Sequence, residues 1–138
     1  MISGGHATIY VSDMDTAVRF YTGVLGLALV ERHGNHIAMV SAGPGLTIAL
    51  HPVTPAATAP PGTRGAVQIG LEIDEPIERV VSRLQERGAR ISGEIITFEA
   101  GRCVSLEDTD GNPIYLWERA TDEEVAENDL TSAGRARA

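Results

Sequence analysis

Three short patterns hold most of the chemistry open to this chain: His6-x-Thr8-x-Tyr10, Gln68-x-Gly70-x-Glu72 and Tyr115-x-Trp117. Imidazole, carboxylate and amide oxygens can carry protons or ligate a metal. Phenol and indole rings offer faces on which a flat or cationic molecule can stack. The spacing of two matters because alternate residues of a β-strand point to the same side. Met39, His51 and the Cys103-x-Ser105 pair sit in apolar runs with the same alternation. Cys103 is the sole cysteine, so neither an internal disulfide nor a Cys-rich zinc site can form, and it reads as a small buried filler.

The elements that must position these residues come in two copies. "HATIYVSDMDTAVRFYTGVLGLALV" and "QIGLEIDEPIERVVSRLQERGARIS" share one layout, and Gln68 stands to His6 at the same offset as Gly88 to Gly26. Each copy opens on an alternating strand, over 6–11 and 68–73. A helix start follows, with Ser12 as cap and Asp15 three residues on, then Asp74 as cap with Pro76 in the first turn. Helical spacing links Ala17, Val18, Tyr21 and Leu25 in one copy and Ile77, Val80, Val81 and Leu84 in the other. Gly26 and Gly88 suit left-handed caps at the helix ends. Three more strand-like runs close each copy, near 28–32, 36–41 and 46–51, then near 90–96, 102–107 and 113–118. The "GPG" at 43–45 reads as a turn, not a phosphate loop, because no Lys-Ser/Thr or following helix accompanies it.

These runs predict an α+β fold of two βαβββ modules in tandem, curling eight strands of a mixed sheet into a cleft with the helices outside. Module one covers 4–53, a Pro/Ala/Gly-rich extended linker 54–65, and module two 66–119, followed by a flexible polar tail over 120–138. Alternation puts His6, Thr8, Tyr10, Met39, Ala49, His51, Gln68, Gly70, Glu72, Cys103, Ser105, Tyr115 and Trp117 on the inner face. Ile9, Val11, Ile69, Ile73, Val104, Leu106 and Leu116 then face the helices.

Composition narrows the function classes. The 138 residues are 43% hydrophobic and 22% charged, which suits one globular domain with a core. No apolar run approaches the roughly 20 residues of a membrane span, and the opening stretch lacks a signal peptide's basic start, so cytoplasmic residence is the expectation. A net charge of −8 argues against nucleic acid and suits a cationic ligand. Part of that charge, at Asp122, Glu123, Glu124, Glu127 and Asp129, lies in the polar tail. Arg64 and Arg102 could rim the cleft or serve as surface charge.

The order His-x-Thr-x-Tyr-Val-x-Asp, the "FYTGVLGL" helix end and the "EDTDGNPIYLWE" finish resemble the vicinal oxygen chelate superfamily. That group includes glyoxalase I, fosfomycin-resistance proteins, extradiol dioxygenases and bleomycin-binding proteins. The resemblance implies four inward positions that ligate a divalent metal in the metal-dependent members, and here they fall on His6, Ala49, Gln68 and Tyr115. Ala49 has no donor atom, and a neutral phenol is a far weaker ligand than a carboxylate. A displaced His6–His51–Glu72 set would be needed instead, about 7 Å along a strand for each two-residue step.

The resemblance therefore implies a metal-independent binder of the bleomycin-resistance type that sequesters a cationic or aromatic small molecule, with no cofactor and with His6, Thr8, Tyr10, Met39, His51, Gln68, Glu72, Ser105, Tyr115 and Trp117 around the ligand. The alternatives are a metal-dependent lyase, isomerase or dioxygenase acting on vicinal oxygens, and metal-free acid–base catalysis by Glu72 or His6. A homodimer is expected as well, since members of the family pair modules within a chain or across two.

Overall fold

The computed structural model describes residues 1, 5–54, 59–63 and 67–124. Among the described residues, nine strands form two mixed sheets, each built around one βαβββ-like module with its own α-helix. In the first module, β1 (Ala7–Val11) leads into α1 (Met14–Val18), which continues as a π-helical segment over Arg19–Val24; β2 (Ala28–His33), β3 (Ile37–Ser41) and β4 (Thr47–Pro52) follow. The sheet order is β1-β4-β3-β2, with β1 and β4 parallel.

The second module repeats this with β5 (Ile69–Ile73), α2 (Ile77–Glu86), β6 (Arg90–Ile91), β7 (Ile96–Phe98), β8 (Gly101–Glu107) and β9 (Pro113–Arg119). Its order is β5-β9-β8-β6, with β7 also on β8. The single run expected over 90–96 thus splits in two around Gly93. The strands expected in one curled sheet lie in two, and among the described residues no strand of one module pairs with a strand of the other. Among the described residues, one edge of β1 and one of β5 have no strand partner.

The core forms where the sequence alternation puts aliphatics on the helix side. Ile9, Val11, Val40, Ile48, Leu50, Ile69, Leu71, Val104, Leu106, Ile114 and Leu116 are buried against Ala17, Val18, Phe20 and Tyr21 of the first helix and Ile77 and Leu84 of α2. Both helices end as their glycines dictate: φ is 77° at Gly26 and 92° at Gly88, a region costly for any residue with a Cβ.

The helix starts differ from the sequence reading, for reasons that lie far along the chain. Asp13, not Ser12, caps α1, its Oδ1 accepting the Thr16 N–H at 2.8 Å. Ser12 is taken by the other module, its N–H donating to Asp110 Oδ2 at 3.1 Å and its hydroxyl to Asp110 Oδ1. Nor does Asp74 cap α2; Pro76 holds that position without a side-chain bond. Glu118 of β9 replaces it, with Oε2 accepting the Ile77 N–H at 2.6 Å. The described start of the tail is ordered by a reciprocal pair, Thr121 N–H to Glu124 Oε2 at 2.7 Å and Glu124 N–H to Thr121 Oγ1 at 3.2 Å. Glu127 and Asp129 lie outside the described residues.

The Asp13 cap gives a pH signature. The Thr16 backbone N–H, then its side chain, hold the Asp13 carboxyl below its ordinary value. A depressed folded-state pKa stabilises the fold above the unfolded pKa, and that contribution is lost as pH falls through the folded value. Asn at this position still caps but does not titrate. Asp13→Asn should therefore leave neutral-pH stability near wild type and flatten the fall in urea midpoint below about pH 4; an unchanged acid limb would contradict this.

Candidate functional site

The side of module two's sheet away from α2 carries Gly70 and Glu72 from β5, Tyr115 and Trp117 from β9, and Cys103 and Ser105 from β8. Cross-strand register ranks them in two rows, Gly70–Tyr115–Ser105 and Glu72–Trp117–Cys103. Gln68 precedes β5 and Phe98 ends β7, and together these eight line one open groove of about 540 Å³.

Its floor is shaped by an absence. A Cβ at Gly70 would overlap the Tyr115 ring, so the phenol lies across β5 in space that only glycine leaves open. Trp117 lies beside Phe98, with ring centroids 6.2 Å apart and planes tilted by 39°. Three aromatic rings thus flank a patch of amide, thiol, hydroxyl and carboxylate groups. Cys103 is half-buried and lines this groove, a correction to its reading as filler: it stands on the sheet face that opens into the groove, in the row with Trp117 and Glu72.

Two inward residues escaped the sequence reading. Phe98 lies two residues beyond the run expected over 90–96, at the end of β7. Arg119 follows Trp117 by two, and its Nη2 donates to Glu72 Oε1 at 2.6 Å. Alternation continued one step past Trp117 would have found it.

The groove is lined by module two alone. Of the ten residues expected around the ligand, Gln68, Glu72, Ser105, Tyr115 and Trp117 are together here, while His6, Thr8, Tyr10, Met39 and His51 are not. Of these, Thr8, Tyr10, Met39 and His51 share the corresponding face of module one. Register aligns Thr8, Ala49 and Met39 in one row and Tyr10 with His51 in the next. The Tyr10 and His51 rings meet edge-on at 5.9 Å, and His51 Nδ1 lies 2.8 Å from the Pro52 carbonyl. His6 is exposed at the start of β1. A register shift between Leu29 and Glu31 turns Glu31 opposite Met39 and His33 opposite Ile37, adding a Glu31–His33 contact of 2.5 Å to this face.

Arg102 is on the other side of β8, bonded to Glu78 and to Glu118, and does not rim the groove; Arg64 lies outside the described residues. A larger groove of about 960 Å³ runs along the seam between the modules, past the open edge of β5, among Leu25, Leu27, Leu46, Val80 and Leu84. It shares Gly70 and Glu72 with the aromatic groove and adds Ser41 and Asp74.

The match to a family model over residues 4–116 decides the family. The chain belongs to the glyoxalase/bleomycin resistance protein/dioxygenase superfamily. No match was found among curated proteins. Among solved structures, the chain is similar to TnmS3, an antibiotic binding protein from Streptomyces sp. CB03234. The identity is 28% over 87% of this chain and 100% of that one, with a TM-score of 0.67. A glyoxalase/bleomycin resistance protein from the same organism is 29% identical over 82% and 99% of the two chains, at a TM-score of 0.61. Lactoylglutathione lyase from Agrobacterium tumefaciens shares the fold at 17% identity, over 84% and 92%, with a TM-score of 0.66.

The superfamily's metal-dependent members raise the question of whether these residues fit a metal, and they do not. At the four inward positions, Ala49 is fully buried without a donor atom, and Tyr115 is laid over Gly70. The displaced set fails too: His51 lies against Tyr10, Glu72 against Arg119, and no three His, Cys, Asp or Glu side chains converge among the described residues.

Proposed function

We propose that this protein binds a flat small molecule in the aromatic groove of module two, with no metal in the site, and sequesters it rather than transforming it. The observation that carries this reading is the Tyr115 ring lying over Gly70 where a metal ligand would otherwise stand, next to Trp117 and Phe98. Stacking on such rings adds about 0.5–1.5 kcal/mol beyond burial, without needing a particular substituent. The similarity to an antibiotic binding protein supports the same reading.

The groove is open on one side, so a ligand in it lacks an opposite wall, and Tyr10, His51 and Met39 stand on the corresponding face of module one. We place that wall on a second copy of the chain. The open edges of β1 and β5 support this, because unpaired strand edges invite pairing with another chain. A homodimer in which module one of each chain faces module two of the other would close two clefts.

Native mass spectrometry beside a denatured run tests both parts. The expected species is a dimer without a divalent metal. A stoichiometric metal would overturn the first part, and a monomer at micromolar concentration the second. Thermal-shift screening with planar aromatic compounds should raise the midpoint by mass action; stabilisation by Ni²⁺, Mn²⁺ or Zn²⁺ with none from such compounds would reverse the reading.

A further inference from the structure

Glu72 is the one charged side chain among the described residues lining the groove, yet it does not face a ligand alone. Arg119 reaches it from two residues beyond Trp117 on the adjacent strand, at 2.6 Å. This pair is open to solvent, with side-chain exposures of 72% for Arg119 and 66% for Glu72. Exposed ion pairs contribute little because water screens them and two long side chains must be held still. The groove's only carboxylate is therefore covered by a weakly held cation of the same chain.

We propose that Arg119 is an internal competitor for Glu72 and so sets how strongly the groove prefers a cationic ligand over a neutral one. This rests on the binding function proposed above and adds a rule to it. A neutral aromatic leaves the pair intact. A cationic aromatic stacked on Trp117 is partly stripped of water, so it gains more from Glu72 than the solvated Arg119 does, and it displaces Arg119. An anionic ligand is drawn to Arg119 instead. The net charge of −8 does not by itself make this site select cations, because the local carboxylate is already matched. Arg102 cannot take this role: it lies on the opposite side of the sheet, bonded to Glu78 and Glu118.

Trp117 is the only tryptophan, so its fluorescence reads the groove directly. The first arm needs no ligand. Iodide, caesium and neutral acrylamide quench Trp117 in the wild type, Arg119→Gln, Glu72→Gln and Arg79→Gln, the last removing an exposed arginine of α2 as a control for overall charge. Arg119→Gln should shift quenching toward caesium over iodide and Glu72→Gln toward iodide, with Arg79→Gln close to wild type.

The second arm titrates acridine and its permanent cation N-methylacridinium in mildly alkaline buffer. Arg119→Gln should tighten the cation by about 2–5-fold and leave acridine unchanged, and Glu72→Gln should weaken the cation by a similar factor. Quenching in Arg119→Gln equal to that of the Arg79 control overturns the proposal, as does an unchanged cation-to-neutral ratio when both probes bind. If quenching shifts as expected but neither probe binds any variant, the binding function itself falls, and the competitor role with it.

Discussion

Asp108→Ala should lower the free energy of unfolding by about 3–5 kcal/mol, a loss as large as that from truncating a core side chain. Asp108 is 2% exposed, in the turn between β8 and β9, and its two oxygens serve four donors. Oδ2 accepts from the Tyr21 hydroxyl at 2.9 Å and from Asn112 Nδ2 at 2.8 Å. Oδ1 accepts the backbone N–H groups of Asp110 at 2.9 Å and Asn112 at 2.8 Å. Truncation strands these donors in a place water reaches poorly, and each buried orphan costs about 1–3 kcal/mol.

Tyr21 shows how dry the place is. Burial first, and the Asp108 carboxylate second, push its phenol far above its ordinary value, so it stays a donor across the accessible pH range. Urea denaturation of three variants checks the account by rank. Asp108→Ala should lose most, Asp108→Asn less because the amide keeps an acceptor, and Tyr21→Phe about 1 kcal/mol for one hydrogen bond. A Tyr21→Phe loss equal to that of Asp108→Ala would show that the tyrosine bond, not the four-donor hub, holds the turn.

Gly70→Ala comes second, with an expected loss of about 1–3 kcal/mol from overpacking, although it adds one methyl to a half-exposed strand. The new Cβ and the Tyr115 ring cannot share the same space, so the ring must leave the groove floor. If that is the reason, the penalty should vanish once the ring is gone. In a Tyr115→Ala background, Gly70→Ala should be near neutral, for a coupling of about 1 kcal/mol or more across the cycle. Additive losses would mean that alanine disturbs β5 for some other cause. The same variant should weaken any ligand that stacks on Tyr115 while sparing one that contacts only Trp117 and Phe98.

These two cases also mark where the sequence was legible. The repeat, the α+β class and both helix ends follow from local rules: alternation with period two, and glycine where the backbone turns left-handed, at Gly26 and Gly88. Ser12 and Asp74 were misjudged as caps because their competitors, Asp110 and Glu118, arrive from the far end of the chain, which no local pattern contains. Gly70 was legible as an inward position, but its meaning needs the register that sets it opposite Tyr115. Glu31 and His33 were hidden by a register irregularity in β2. Arg119 was within reach of the alternation and was passed over because the motif ended before it. How the two sheets face each other was not legible at all, since side-chain periodicity orients a residue within its own sheet and says nothing about the next one.

The bonds between the modules, Tyr21 to Asp108 and Ser12 to Asp110, join residues 87 and 98 positions apart. Closing such a span from an unfolded chain is entropically unfavourable. Once each sheet has formed on its own, however, only the stretch between Pro52 of β4 and Ile69 of β5 is left to close, and Gly62 within it donates to Asn112 Oδ1 at 3.0 Å. Two units joined through so few residues stay at about a millimolar effective concentration of one another. At micromolar protein the Asp108 turn will therefore find the Tyr21 of its own chain before that of any other. In the dimer proposed above, the exchange between chains is then confined to the sheet edges and groove walls, while the helix-side clasp stays private to each polypeptide.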